Sequence, residues 1–258
     1  MSVIQRTENE KNLSTAWGKA IVQLKKDKRT RNSPLLISFT GITNDCIDED
    51  LQIRAIVDKI LITKKKHTIR EVAYTIFPNE LWNLTKRSKS TKEFYELYTT
   101  RALLKMKKRD PANNYGTYFE RMISFSGWKK EEMRKVNQLE FVIGLLKKKQ
   151  KIRLSALQIA LFDPAKDHTG QAQRGFPCLQ QIGISYEKEG FMLNAFYPSQ
   201  YMIERAYGNY LGLANLANFI SSETGMKVEG VNVFIAKPSL DISIDKSSFN
   251  RLKKILEL

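Results

Sequence analysis

In residues 49–61, EDLQIRAIVDKIL, apolar side chains recur at 51, 53, 56, 57, 60 and 61, near the 3.6-residue period that places them on one helix face. TIREVAYTIFPNELW (68–82) follows, with Thr68 placed to cap a helix that Pro78 interrupts. A further helical stretch, TKEFYELYTTRALLKMKKR, runs from 91 to Asp110-Pro111, where DPANNYGT is turn chemistry. The first hundred residues therefore read as α-rich, with one or two short strands. In KVNQLEFVIGLLKKK, Leu139, Val142, Ile143 and Leu146 share one face, and the lysines suit the negative C-terminal end of a helix. LSALQIALFDP reads as a buried strand stopped by Asp163-Pro164. CLQQIGISYEKEGFMLNAFYPS alternates Ile182, Ile184 and Tyr186 before EKEG, and Phe191, Leu193 and Ala195 after it, the pattern of a hairpin. The nearly all-apolar stretch 200–225 predicts a long helix buried on all sides, with Gly225 placed to end it. KVEGVNVFIA is a further strand, and SSFNRLKKILEL a helix capped by Ser247 or Ser248. The fold class is α+β: a mixed sheet packed on a buried long helix, with an α-rich N-terminal part.

At 258 residues the chain reads as a single domain, with an α-rich part over 1–110 and a better-defined core over 111–258. Its 43 Lys and Arg against 27 Asp and Glu give a formal charge of +16, a field that draws in nucleic acid, anionic membrane surfaces or phosphorylated small molecules. The excess lies in separate clusters at 25–31, 64–66, 105–109 and 147–151, which a solvated lysine-rich surface also explains. No apolar run approaches the roughly 20 residues that span a bilayer, and the N-terminal stretch is too polar for a signal peptide. The expectation is a cytoplasmic protein that does not enter a membrane. Cys46 and Cys178 stand in dissimilar contexts without CxxC or Cys/His spacing, so free thiols are expected rather than a disulfide framework or a structural metal.

Cys178 follows Pro177 directly and lies four residues beyond Arg174. A thiol of ordinary pKa, about 8.5, is only slightly ionised at neutral pH, so a nucleophilic cysteine needs a cation or backbone donors beside it. Arg174 is a candidate cation. From these residues alone, a small buried hydrophobe and a nucleophile both remain open.

The order of segments adds to this. Asn137-Gln138-Leu139, Phe162-Asp163-Pro164, Pro177-Cys178, a hairpin and Leu211-Gly212-Leu213 follow one another, preceded by NYGTYFERM (114–122). From about 114 to 236 the chain resembles the thymidylate synthase and pyrimidine nucleotide hydroxymethylase superfamily, as a divergent member. The resemblance implies a homodimeric enzyme in which a cysteine thiolate adds to carbon six of a pyrimidine nucleotide. Carbon five then becomes nucleophilic toward a one-carbon unit from methylenetetrahydrofolate, and no metal is involved.

Carried over residue by residue, the resemblance makes Cys178 the nucleophile. Arg174 and Arg121 fall where arginines approach the nucleotide, and Arg153 stands near the pair that reaches a partner subunit's phosphate. Either Arg205 or Ser199 takes the phosphate-binding place. Asn215 or Asn218 flanks the position that reads the pyrimidine edge, and Asn215 is preferred. The sugar-contacting His-x-Tyr pair falls on Asn232 and Phe234, of which Phe cannot donate that hydrogen bond. In NELWNL, Glu80 is the candidate general acid/base. The closing SSFNRLKKILEL stands without the family's folate-covering segment, a loss that hydroxymethylation by water capture tolerates better than reductive methylation, and the resemblance implies one or the other. A synthase fold altered in catalysis that binds nucleotides or nucleic acid is the alternative. A basic RNA-binding protein would instead show stacking aromatics on an exposed sheet, whereas the aromatics here fall mainly in helical stretches.

Overall fold

A six-stranded mixed sheet and one helix buried along most of its length organise the computed structural model, which describes residues 5–26, 34–43, 46–86, 90–129, 132–148, 152–168, 170, 178–187 and 190–258. In chain order the first elements are β1 (Gln5–Glu10), α1 (Leu13–Lys26), β2 (Leu35–Phe39), β3 (Ile42–Thr43) and β4 (Cys46–Ile47). Helices follow: α2 (Leu51–Thr63), α3 (Ile69–Ile76), α4 (Asn79–Thr85), α5 (Thr91–Leu97), α6 (Leu103–Arg109) and α7 (Tyr118–Ile123). Then come β5 (Phe125–Lys129), β6 (Glu132–Val136), α8 (Gln138–Lys147), β7 (Gln158–Ala160) and α9 (Pro164–Asp167). The chain closes with β8 (Gln181–Glu187), β9 (Gly190–Tyr201), α10 (Ala206–Thr224), β10 (Lys227–Ser239) and α11 (Lys246–Ile255).

The sheet order is β1-β2-β10-β9-β8-β7. β1 runs parallel to β2 and β10 parallel to β9, while the other neighbours are antiparallel. Two strands from the α-rich N-terminal part thus complete the sheet of the second half. QRTENE has no apolar alternation to announce β1. It forms at an edge, where one side needs no partner strand and polar residues are tolerated.

Thr68 caps α3 in a reciprocal box with Glu71, and α4 begins after Pro78. The stretch 91–109 is helical throughout, with a π-helical turn at Tyr98–Ala102 between α5 and α6. Three expectations need correction, and the first is the long helix: β9 runs on to Tyr201, so α10 begins only at Ala206 and not at 200. The strand expected across 154–164 shrinks to β7, because Leu154–Ala156 tighten into a 3-10 turn and Asp163 caps α9. The cap of α11 is Asp245, whose carboxylate accepts from Ser248 N, so Ser248 lies inside the first turn. Nothing in the pattern announced the β5–β6 hairpin.

Buried α10 requires close approach on the side facing α3. A Cβ on Gly208 would lie 2.6 Å from Val72 Cβ, and one on Gly212 2.8 Å from the Ala73 carbonyl oxygen. The two glycines let the α3 backbone lie against α10. Gly225 ends the helix in the left-handed conformation at φ 71°. Phe77, Phe94, Phe119, Trp82 and Phe219 close the core around this contact, with ring centroids 5.1–5.8 Å apart in the pairs joining Phe77 to the others.

Along each strand one face is sunk in the core, with Val231, Val233 and Ile235 of β10 beside Leu193, Ala195 and Tyr197 of β9. The other face carries a polar row. Ser38 donates to Asn232 Oδ1 (2.7 Å), Asn232 Nδ2 to Asn194 Oδ1 (2.9 Å) and Asn194 Nδ2 to Ser185 Oγ (3.1 Å). Beside it Phe196 and Phe234 stack at 5.8 Å.

Candidate functional site

Cys178 lies just before β8, and its backbone N–H donates to Tyr118 Oη at 3.1 Å. Tyr118 opens α7, where Thr117 caps the helix through Glu120 N and shares a 2.6 Å hydrogen bond with the Tyr98 hydroxyl. Protein packed around the sulfur pushes the Cys178 thiol above its ordinary pKa, and the Arg205 charge draws it back down. The residue as a whole remains exposed and is not disulfide-bonded. Exposure here describes access to solvent, while crowding around the sulfur sets the cost of its charge. Burial also raises the Tyr118 phenol, and a negative Cys178 raises it further, so Tyr118 stays protonated beside the thiol. Tyr197 is fully buried, and its hydroxyl has no hydrogen-bond partner among the described residues. Its ionisation is disfavoured by burial and by the neighbouring Tyr118 and Cys178.

Arg205 stands at the N-terminal boundary of α10, after the turn that leaves β9. Its guanidinium meets Glu204 at 3.1 Å, and Glu204 also takes Lys66 at 2.8 Å. Partly exposed pairs of this kind are weak, so Arg205 can be redirected to a stronger anion.

A cavity of about 480 Å³ opens between α3, α4 and α10. Leu211, Asn215 and Asn218, spaced four and three residues apart, bring one face of α10 to it. Asn215 is 8% and Asn218 7% exposed, and neither carboxamide has a hydrogen-bond partner among the described residues. Glu80 and Trp82 of α4 line the same space, with the Lys86 ammonium 4.8 Å from the Trp82 ring centre. Arg70 and Tyr74 contribute from α3. Arg54 is held by Glu49, whereas Arg70 has no ion-pair partner among the described residues.

The structure therefore groups the expected residues in two places. Cys178 and Arg205 lie within electrostatic reach of each other at the β8 and α10 starts, while Glu80 and Asn215 share the cavity. Cys178 and Arg205 are not among the residues lining that cavity.

Other expected residues lie elsewhere. Arg121 is buried in a bidentate pair with Asp167, and also donates to the carbonyls of Leu161 (2.7 Å) and Tyr115 (2.8 Å). Its donors are spent on holding α7 to the β7–α9 connection. The Asn232 carboxamide is committed to the strand row on the less buried face. Arg153 is exposed at the start of the 3-10 turn, and Ser199 sits half-buried in β9 opposite Lys237. Arg174 and the proline before Cys178 lie outside the described residues. Tyr118, Tyr197 and Arg70 were not singled out from sequence. The Tyr-rich NYGTYFERM stretch was the available signal for Tyr118, but spacing does not tell which tyrosine faces Cys178.

No protein-family model matches the chain, and no curated protein matches it. What the fold and site define is a mixed α+β protein with a thiol–arginine–tyrosine cluster and an amide-lined cavity beside one buried helix.

Proposed function

We propose that the chain is a thymidylate-synthase-like enzyme that transfers a one-carbon unit to carbon five of a pyrimidine nucleotide through a Cys178 thioether. The observation that carries this reading is the convergence of Arg205 and Tyr118 on Cys178, a thiol that neither forms a disulfide nor lies deep in the core. Arg205 favours the thiolate and is placed to meet the nucleotide phosphate, which a guanidinium holds bidentately. The thiolate sulfur bonds to carbon six, and the ring's double-bond electrons move to the carbon-four oxygen, leaving carbon five nucleophilic. When the product forms, a base takes the carbon-five proton and the sulfur–carbon bond breaks to regenerate the thiolate. Glu80 is assigned that proton by the resemblance alone, since it lines the cavity and Cys178 does not. Methylenetetrahydrofolate supplies the one-carbon unit when bound. The cavity suits such a group: its volume is that of a small-molecule site, and Trp82 and Tyr74 offer ring faces beside the cations Arg70 and Lys86, which would hold its carboxylates. Hydroxymethylation and methylation share all these steps up to the fate of the transferred carbon.

A homodimer belongs to the same reading. The centre of the less buried sheet face, from Leu36 and Ser38 of β2 across to Gln181 and Ser185 of β8, carries no ionisable side chain among the described residues, with Glu187 and Glu229 at its rim beside Gly190. In a chain of formal charge +16, a face with an uncharged centre, the Phe196–Phe234 stack and carboxylates at its rim is where a second copy meets least repulsion. Exposed Arg153 is free of ion pairs among the described residues, as a residue reaching toward a partner would be.

The deciding experiment is intact-mass analysis after incubation with a 5-fluorinated deoxyuridine monophosphate and methylenetetrahydrofolate. An adduct that survives Cys46→Ser and vanishes in Cys178→Ser is expected; no adduct with any fluorinated pyrimidine nucleotide overturns the reading. The +16 charge favours a second reading, an altered synthase fold that binds nucleic acid. Duplex or single-strand binding that falls steeply with salt, without mononucleotide binding, would establish it.

A further inference from the structure

Two of the four basic clusters of the sequence, 64–66 and 105–109, become one surface in the fold. The turn between α2 and α3 lies against the C-terminal end of α6, where His67 Nε2 is 3.4 Å from Asp110 Oδ2 and Arg109 pairs with Glu71 at 2.5 Å. Lys107 carries the surface onward through its 2.8 Å pair with Glu120 of α7, which lines a second cavity of about 200 Å³. There the ammonium groups of Lys135 in β6 and Lys166 in α9 each donate to Ser126 Oγ at 3.0 Å, so two cations stand no farther apart than twice that distance. The carboxylates along this path are already engaged: Glu71 by Arg109, Glu120 by Lys107, Asp163 by Lys166, while Asp110 caps the turn that follows it. Lys64, Lys65, Lys105, Lys108 and Lys135 are exposed and make no ion pair among the described residues. Lys65 closes α2 in the left-handed conformation at φ 53°, a place that ordinarily goes to glycine. Tyr115, 52% exposed, ends the 3-10 turn Pro111–Tyr115 and lines the same cavity with Asn114 and Phe125.

We infer that this belt binds single-stranded nucleic acid: the lysines of the α2 end, α6 and β6 follow the phosphates, and one base leaves the strand to stack on Tyr115 in the cavity. Phosphate attraction alone does not choose between one strand and two, since both carry the charge. The aromatic cavity makes the choice. In a duplex the base faces are stacked against one another, whereas an unpaired base offers its face to Tyr115 and its edge to the Asn114 carboxamide, which both donates and accepts. At about 200 Å³ the cavity falls below the roughly 300–1,000 Å³ of a site for a whole small ligand. That size suits one base of a longer strand whose phosphates stay outside, on the lysines. The belt includes none of Cys178, Arg205, Tyr118 and Glu80, so the inference goes beyond the one-carbon reading and requires no loss of catalysis.

The test is fluorescence anisotropy of the full chain with labelled oligothymidylate and with a DNA duplex of the same length, over a range of salt. Single-strand binding tighter than duplex binding is expected, with a slope of log affinity on log salt of about −3.5 as the five lysines each displace a counterion. Lys65→Gln/Lys108→Gln, one change from each cluster, should flatten that slope by about 1.4, while Lys147→Gln/Lys148→Gln at the end of α8 leaves it unchanged. Tyr115→Ala should weaken the single strand about tenfold and the duplex not at all. Equal losses from the two lysine pairs would mean that the overall positive field attracts the strand, and would overturn the inference. So would a duplex that binds as tightly as the single strand, or single-strand affinity unchanged in Tyr115→Ala. Binding to vesicles of phosphatidylserine and phosphatidylcholine without binding to oligothymidylate would assign the belt to a membrane surface instead. Every substituted side chain is exposed, so the variants leave the core untouched. The fluoronucleotide adduct at Cys178 is read separately, and either result can fail without the other.

Discussion

Arg205 and Cys178, 27 positions apart in sequence, are electrostatic partners: the guanidinium lowers a thiol pKa that crowding around the sulfur has raised. Removing the charge therefore takes away one influence that lowers it. In a Cys46→Ser background, Arg205→Met should slow alkylation of Cys178 by iodoacetamide at neutral pH and move the midpoint of its pH profile upward. An unchanged profile would mean that the arginine does not act on the thiol.

Arg121 and Asp167 make a buried bidentate pair, with side chains 10% and 3% exposed. Arg121→Met strands a buried carboxylate and should cost about 3–5 kcal/mol in urea denaturation. Burial alone would raise the Asp167 carboxyl, but hydrogen bonds from Arg121 and the Asp163 N–H, with the Arg121 and Lys166 charges, bring it below its ordinary value. A carboxyl depressed in the folded state contributes stability that is present above its unfolded pKa, about 3.9, and is lost as pH falls through the folded value. Wild type should therefore lose stability below about pH 4 more steeply than Asp167→Asn. Parallel acid profiles would remove Asp167 from the account.

Glycine-to-alanine changes should split by position. Gly212→Ala places a Cβ 2.8 Å from the Ala73 carbonyl oxygen and should destabilise by about 1–3 kcal/mol. Gly144→Ala in α8 meets nothing within 4 Å and should stabilise by up to about 1 kcal/mol through helix propensity. Thermal unfolding of both variants tests whether the α3–α10 contact, rather than backbone freedom, is what the first glycine serves.

Phe196→Lys introduces a charge into the uncharged centre of the sheet face, where Phe196 is 36% exposed against Phe234. Light scattering behind size exclusion should show a wild-type dimer and a monomeric variant with unchanged circular dichroism. A monomeric wild type, or a variant that still dimerises, removes this face from the interface.

Local pattern was enough for most helices, because a 3.6-residue apolar period, a Thr68 cap, a Pro78 break and a Gly225 stop are each written in neighbouring residues. The β8–β9 hairpin and β10 were legible for the same reason: alternation records which face is buried. Edge strand β1 was not, since its polar residues are stabilised by pairing with β2, a partner about thirty residues away. The cap of α11 was missed by only a few positions, because Asp245 and two serines are all competent caps and the tertiary start of the helix selects among them.

For the site, the sequence by itself determined which residue types were available: a thiol after a proline, arginines, an Asn-bearing apolar helix and a glutamate beside a tryptophan. Only the tertiary structure decided which of them meet. Arg121 was turned inward to Asp167, Asn232 was taken into a cross-strand row, Arg205 was set within electrostatic reach of Cys178, and Asn215 and Asn218 were brought to the wall of a cavity. The physical reason is that a polar side chain's role depends on which partners fill its hydrogen bonds. Those partners come from strands and helices tens to hundreds of residues away, beyond the reach of any local pattern.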